Sequence, residues 1–237
     1  MLSVDLHTHS LFSGCGLHTV IEILERAKRL GMTAVAVTDH GPALGARVAS
    51  PFYDRLHHPV EGIRLLKGME CNLKGDHGDI DLPSYRLPYL DVVLLGMHHN
   101  TETGLGKDAN TELMIRAVTQ NKAVDILTHL NDAQFPMHFQ PICEAATEHG
   151  VAIELNNSKT RLQRVDDSVT RELVRAALNS GARMAVTSDT HAIEELGCDD
   201  SVLPFLREVD FPEERIVTST AERALAFLEE RRPNKQQ

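Results

Sequence analysis

Short apolar runs rich in β-branched residues recur along the chain: Val4 to Leu6, Ala34 to Val37, Ile63 to Leu66, Val92 to Leu95, Val124 to Leu127, Val151 to Leu155 and Met184 to Val186. Each has the length of a buried strand, and the unbroken hydrophobicity is that of a parallel sheet covered on both faces. Helical patterns lie between many of them. The clearest is Thr19 to Leu30, where Val20, Ile21, Ile23, Leu24, Ala27 and Leu30 form one stripe, Thr19 and Glu22 form a capping box, and Gly31 closes the helix. Ile142 to His149 and Val169 to Asn179 likewise stop at or shortly before a glycine that feeds the next strand. This alternation predicts an α/β fold wound one way, and seven units, one short of the usual eight, predict a distorted (β/α)7 TIM-like barrel. No linker divides it, so one barrel domain is expected over 1–230, followed by a polar tail, 231–237, expected to fray. Gly41 to Gly62 and Gly75 to Pro88 read as loops long enough to cover a site.

Composition narrows the function. With 42% hydrophobic and 24% charged residues the chain can bury an ordinary core, which excludes a disordered or collagen-like protein. A net charge of −10 repels a phosphate backbone and disfavours nucleic acid as a partner. The opening MLSVDLHTHS has neither a basic nor an apolar leader region, and no apolar run approaches the ~18 residues of a membrane span, so a cytoplasmic protein is expected. Cys15, Cys71, Cys143 and Cys198 form no C-x-x-C pair and read as reduced thiols. Thirteen histidines against no tryptophan and three tyrosines make metal the first question, because imidazole is the commonest metal ligand.

The histidines fall where such a site would need them. His7 and His9 end the first run, Asp39 and His40 the second, Glu70 follows the third, His98 and His99 the fourth, His129 the fifth, and Asp189 and His191 the last. In a (β/α) barrel the C-terminal strand ends converge on one rim, so these residues are expected to gather around one point. Alternate residues of a strand face one way with a rise of ~3.3 Å per residue, so His7 and His9 can share a metal or serve neighbouring ones. His7, His9, His40, Glu70, His98, His129, Asp189 and His191 are too many for one tetrahedral ion with an open position. At least two metals are implied. A lone histidine at a strand end is more often a hydrogen-bonded structural residue, but that account does not extend to this many. Asp39 is expected behind the ligands, accepting from an imidazole N–H. His57, His58, His77, His138 and His149 are assigned to the surface, and Asn156 and Asn157 either orient ligands or substrate or close a turn.

The chain resembles the PHP (polymerase and histidinol phosphatase) superfamily, and within it the YcdX-type phosphatases. The resemblance rests on VDLHTHS at 4–10, VTDHGP at 37–42, GMECNLK at 68–74, LLGMHH at 94–99, LTH at 127–129, IELNNS at 153–158, SDTH at 188–191 and VDFPEERI at 209–216. It implies a cluster of three divalent ions, zinc foremost with manganese or iron as alternatives. The resemblance further implies that such a cluster hydrolyses small phosphate monoesters through a metal-bridged hydroxide. It puts His7, His9, Glu70 and Asp189 around one ion, has Glu70 bridge to a second held by His98 and His129, and leaves His40 and His191 for a third. At the remaining position of the third ion, where the YcdX-type pattern has histidine, this chain has Cys15, with His18 three residues on. Arg161 and Arg164, after the IELNNS segment, are candidates to grip the substrate. The family also implies a homo-oligomer. Two other functions stay open: a nucleotide or nucleic-acid-end phosphoesterase or exonuclease, and a non-catalytic metal-binding module.

Overall fold

The computed structural model describes residues 1–99 and 106–236. Its strands are β1 (Val4–Asp5), β2 (Ala34–Val37), β3 (Arg64–Lys74), β4 (Asp79–Ile80), β5 (Val92–Gly96), β6 (Ile126–Leu127), β7 (Ala152–Asn156) and β8 (Met184–Thr187). Apart from β4 they pair in parallel in the order β1-β2-β3-β5-β6-β7-β8. A bridge between Thr8 and Thr190 brings the last strand end back to the first, which gives the expected distorted (β/α)7 barrel. Around it run α1 (Val20–Arg29), α2 (Ser50–Asp54), α3 (Lys107–Gln120), α4 (Phe139–Glu148), α5 (Asn157–Arg161), α6 (Asp167–Ser180), α7 (Leu203–Arg207) and α8 (Ala221–Arg231). The α1 capping box forms as read: Thr19 Oγ1 accepts from the Glu22 amide at 3.3 Å, and Glu22 accepts from the Thr19 amide at 2.8 Å.

Two cores hold the barrel. Inside, Val4, Leu6, Ala34, Ala36, Leu66, Leu94, Ile126, Ala152 and Ala185 meet Phe227 and Leu228 of α8, which close the base. A narrow barrel has little room within it, and the alanines on four of these strand positions match that limit. Outside, the alternate strand residues Val35, Leu65, Met69, Val93, Leu95 and Ile153 pack on Ile23 and Leu24 of α1, Met114 of α3, Ile142 of α4 and Leu173 of α6. Each such side chain contributes roughly 1.5–3 kcal/mol on burial. With its base sealed by hydrocarbon, the barrel can open only at the C-terminal strand ends.

In its elements the structure differs from the sequence reading at the third strand and at the end of the chain, and α2 lies within the Gly41 to Gly62 stretch read as a loop. The third strand does not stop near Leu66: β3 runs on to Lys74, and its last two residues pair antiparallel with β4 inside the stretch read as a loop. Glu70 therefore lies within a strand, level with His40, to which it is bridged. The end of the chain is the second correction, because the described part of the tail, 231–236, is anchored. Lys235 Nζ lies 2.7 Å from Asp125 Oδ2 and donates to the Asp91 carbonyl at 3.0 Å. Arg231 donates to the carbonyls of Val124 (2.6 Å), Lys122 (2.8 Å) and His149 (2.6 Å). The physical reason is Asp125, a fully buried carboxylate that needs a counter-charge, which the polar tail supplies.

Candidate metal centre

The rim gathers side chains from every barrel strand but uses three different local devices to aim them. His7 and His9 follow β1 on either side of the Thr8 bridge. His129 and Asp189 instead have positive φ, 33° and 52°, a conformation costing non-glycine residues about 1–3 kcal/mol that persists only where the surroundings impose it. Here they do: the His129 amide donates to Glu154 Oε2 at 2.7 Å, and Asn156 Nδ2 donates to Asp189 Oδ2 at 3.0 Å. Glu70 points in from mid-strand and is wholly buried.

The predicted residues do come together. His7 Nε2 is 3.0 Å from His9 Nε2 and 3.5 Å from Asp189 Oδ1, and His9 Nε2 is 3.3 Å from the same oxygen. Glu70 Oε1 lies 3.4 Å from His7 Nε2, 3.1 Å from His98 Nε2 and 3.0 Å from His129 Nε2. Its other oxygen is 2.8 Å from His40 Nδ1 and 3.4 Å from His9 Nε2. Three groups offer ligand atoms within 4.8 Å of one another: His7, His9 and Asp189; His40, Glu70 and His98; and His9, Cys15, His40 and His191. Cys15, not His18, joins the last group. His99 is exposed and stands against the Phe135 ring, with centroids 6.0 Å apart, away from the cluster.

The donor set fits divalent ions. His7 Nδ1 bonds to Glu154 Oε1 (2.6 Å) and His9 Nδ1 to Ser13 Oγ (3.0 Å), so both Nε2 lone pairs are left facing each other at 3.0 Å. Such lone pairs repel unless a positive charge lies between them. Among the described residues no donor is aligned on the fully buried Glu70 Oε2, although His40 Nδ1 lies 2.8 Å away, and a carboxylate oxygen left so is relieved by a cation. Burial opposes charge on His7, yet Glu70, Glu154 and Asp189 hold its pKa well above the usual imidazole value. Burial likewise opposes ionisation of Glu70, but His98, His7 and His40 push its pKa well below the carboxylate range. These two shifts mark a place that favours positive charge amid buried carboxylates, whereas burial first, and then neighbouring His40, push His9 down to about 3. At Cys15, burial opposes ionisation while contacts with His191 and His40 bring the thiol down to about 6.

Two supporting residues were not singled out from sequence. Glu154 is buried in β7, where it accepts from His7, Thr187 Oγ1 (2.6 Å), the His129 amide and Asn156. Its signal was present as a lone carboxylate inside an apolar strand. Ser13 stands where Asp39 was expected: Asp39 accepts from Ser10 and Ser13 hydroxyls at 2.6 and 2.5 Å and reaches the His9 imidazole only through Ser13. Asn156 donates to both Glu154 and Asp189, whereas Asn157 accepts from the Ser201 amide in a turn. The two arginines considered as candidates to grip a substrate separate. Arg164 borders a cavity of about 430 Å³ beside His98, lined also by His99, Asp132, Phe135 and Lys159, while Arg161 lies by Cys198 and does not border it. Among the described residues, no helix is long and apolar enough to cross a membrane.

Barrel and rim together form a (β/α) barrel whose open end could hold divalent ions. The sequence profile of the PHP domain matches residues 5–158, and the chain belongs to the PHP family. A probable phosphatase of Caldanaerobacter subterraneus subsp. tengcongensis is 32% identical over 236 residues, covering 98% of this chain and 92% of that protein. A probable phosphatase of Tolumonas auensis is 35% identical over 232 residues, covering 96% and 94%. In fold, the chain is similar to a histidinol phosphate phosphatase of Lactococcus lactis solved with zinc, L-histidinol and phosphate, with a TM-score of 0.63 at 17% identity over 87% of this chain and 91% of that one. It is also similar to a chain in the structure of an archaeal ribonuclease P with mature tRNA, with a TM-score of 0.64 at 16% identity over 96% and 90%.

Proposed function

We propose that this chain hydrolyses small phosphate monoesters at a cluster of three divalent ions, zinc foremost. That it is a phosphate-ester hydrolase rests on its family and on full-length relatives named probable phosphatases. The finer reading is carried by one observation: three ligand groups that share members, with His9 and His40 each in two of them. His7, His9, Glu70 and Asp189 would hold the first ion, Glu70, His98 and His129 the second, and Cys15, His40 and His191 the third. When bound, such ions activate water near neutral pH and polarise phosphoryl oxygens.

The protein's own residues do the rest. Glu154 and Ser13 hold the His7 and His9 rings with Nε2 turned inward, and Asn156 fixes one oxygen of Asp189 so that the other faces the cluster. This preorganisation avoids reorganising ligands as charge develops. Access is graded: His7 and Glu70 side chains are 0% exposed, whereas His191 is 35% exposed, so an ester enters from the His191 and His98 side. There the cavity beside His98 receives the leaving group, and Arg164 stands at its edge to meet the phosphate's negative charge. Lys159 is paired with Asp132 at 2.8 Å and belongs to the cavity wall.

The test is hydrolysis of p-nitrophenyl phosphate, bis-p-nitrophenyl phosphate and nucleotides by zinc- or manganese-loaded protein, with metal counted by elemental analysis and His7→Ala as control. Turnover of the monoester with about three ions per chain is expected. Preferred turnover of the diester or nucleotides would replace the substrate class, and no turnover by metal-replete protein would favour a non-catalytic module.

A further inference from the structure

Of the three ligand groups, the one made of His9, Cys15, His40 and His191 includes sulfur, and it is also the most open to solvent. His9 belongs elsewhere. Its Nδ1 is engaged by Ser13, and its Nε2 lies 3.0 Å from His7 Nε2 and 3.3 Å from Asp189 Oδ1. One lone pair serves one ion, which leaves Cys15, His40 and His191 as a set of two nitrogens and one sulfur with a fourth position open.

The turn that presents Cys15 is held in place from both sides. The Leu11 amide donates to the His18 carbonyl at 2.9 Å, and the Leu17 amide donates to the His191 carbonyl at 3.0 Å, which ties the turn to the backbone of another member of the group. At Gly16 an added Cβ would lie 2.6 Å from the His9 carbonyl oxygen and collide with that of Ser10, so the turn closes this tightly only with glycine there. Sulfur is therefore delivered beside two imidazoles by backbone geometry, and the remaining cysteines contribute nothing to the rim: Cys71 and Cys143 are buried in the core and Cys198 is half-buried beside Arg161.

We propose that the third position is a thiolate site that selects a borderline or soft ion, zinc or cobalt, over manganese or magnesium. The two positions built from nitrogen and oxygen take harder ions as well. Thiolate is a soft ligand and carboxylate a hard one, so a single cluster sorts two kinds of metal between its positions. This inference rests on the three-ion reading above.

Titrating metal-free protein with cobalt tests it, with sulfur-to-cobalt charge-transfer absorption in the near ultraviolet followed alongside metal counting. The band is expected to saturate at one ion per chain. Cys15→Ser should lose both the band and one ion; Cys15→His should keep the ion without the band. In competition between zinc and manganese, the wild type should hold the zinc of its third position against a larger manganese excess than Cys15→His does, because nitrogen sites also prefer zinc and the thiolate widens that margin. Because Cys15 is exposed, iodoacetamide should label it in metal-free protein and fail to do so after zinc is added, as read by peptide mass spectrometry. Full loading and ester turnover without a sulfur band, or a band that survives Cys15→Ser, would overturn the thiolate site while leaving the phosphatase reading in place. Failure to bind any ion or turn over any ester would remove both.

Discussion

Glu154 accepts a 2.6 Å hydrogen bond from His7 Nδ1 while its other oxygen holds the His129 amide at 2.7 Å, so one buried carboxylate positions residues from two strands of the rim. Neither oxygen faces the cluster, and both act on residues that do.

Replacing Glu154 by Gln therefore removes a charge but keeps the shape. A metal-bound imidazole that loses its carboxylate partner typically costs 10–100-fold in affinity or activity, and a loss of about that size is expected here. Isothermal titration with zinc on the folded variant measures it; affinity equal to wild type would show that Glu154 serves folding alone.

Ser13 joins His9 to Asp39 and also accepts from the His40 amide at 3.1 Å. Ser13→Ala should free the His9 ring to rotate and weaken metal retention, whereas Ser13→Thr, which keeps the hydroxyl, should restore it. Ions per chain after dialysis distinguish the two, and equal retention in both variants contradicts the relay.

Removing metal leaves Glu70 and Asp189 buried among partly charged imidazoles. Ligand binding to the native state stabilises it by RT ln(1 + [L]/Kd), about 4 kcal/mol at 1,000 times Kd. Chelation is expected to lower the Tm in proportion and zinc to restore it, by calorimetry. A Tm indifferent to chelator would argue that no ion is held at the rim.

At the opposite end, Asp125 depends on Lys235 and Arg231. Taking away one partner of a buried ion pair costs about 3–5 kcal/mol. Arg231→Ala should fall in that range in urea denaturation while leaving ester turnover per folded molecule unchanged, since it lies at the base of the barrel. Stability within error of wild type would mean that the tail is not anchored in solution.

Arg164→Ala should raise the KM for a phosphate monoester with little change in kcat, and Arg161→Ala, away from the cavity, should change neither. Matching kinetics for both variants and the wild type would remove Arg164 from the substrate's path.

The sequence by itself determined the winding of the barrel and which chemistry it carries. Unbroken apolar runs separated by capped helices specify parallel strands, because period and cap are local properties, and histidines placed just beyond those runs are carried to one rim by the topology alone. It could not show which partners those residues have. That His7 leans on Glu154 from β7, that Ser13 intervenes between His9 and Asp39, and that Cys15 rather than His18 reaches His40 and His191 are contacts between segments far apart in the chain or within one irregular turn. The same holds for Glu70 inside a longer β3, and for Lys235, whose polar surroundings in the sequence hid a salt bridge to a carboxylate more than a hundred residues away. Hydrophobic period is written along the chain; the satisfaction of buried charge is settled only when distant segments meet in a low-dielectric interior.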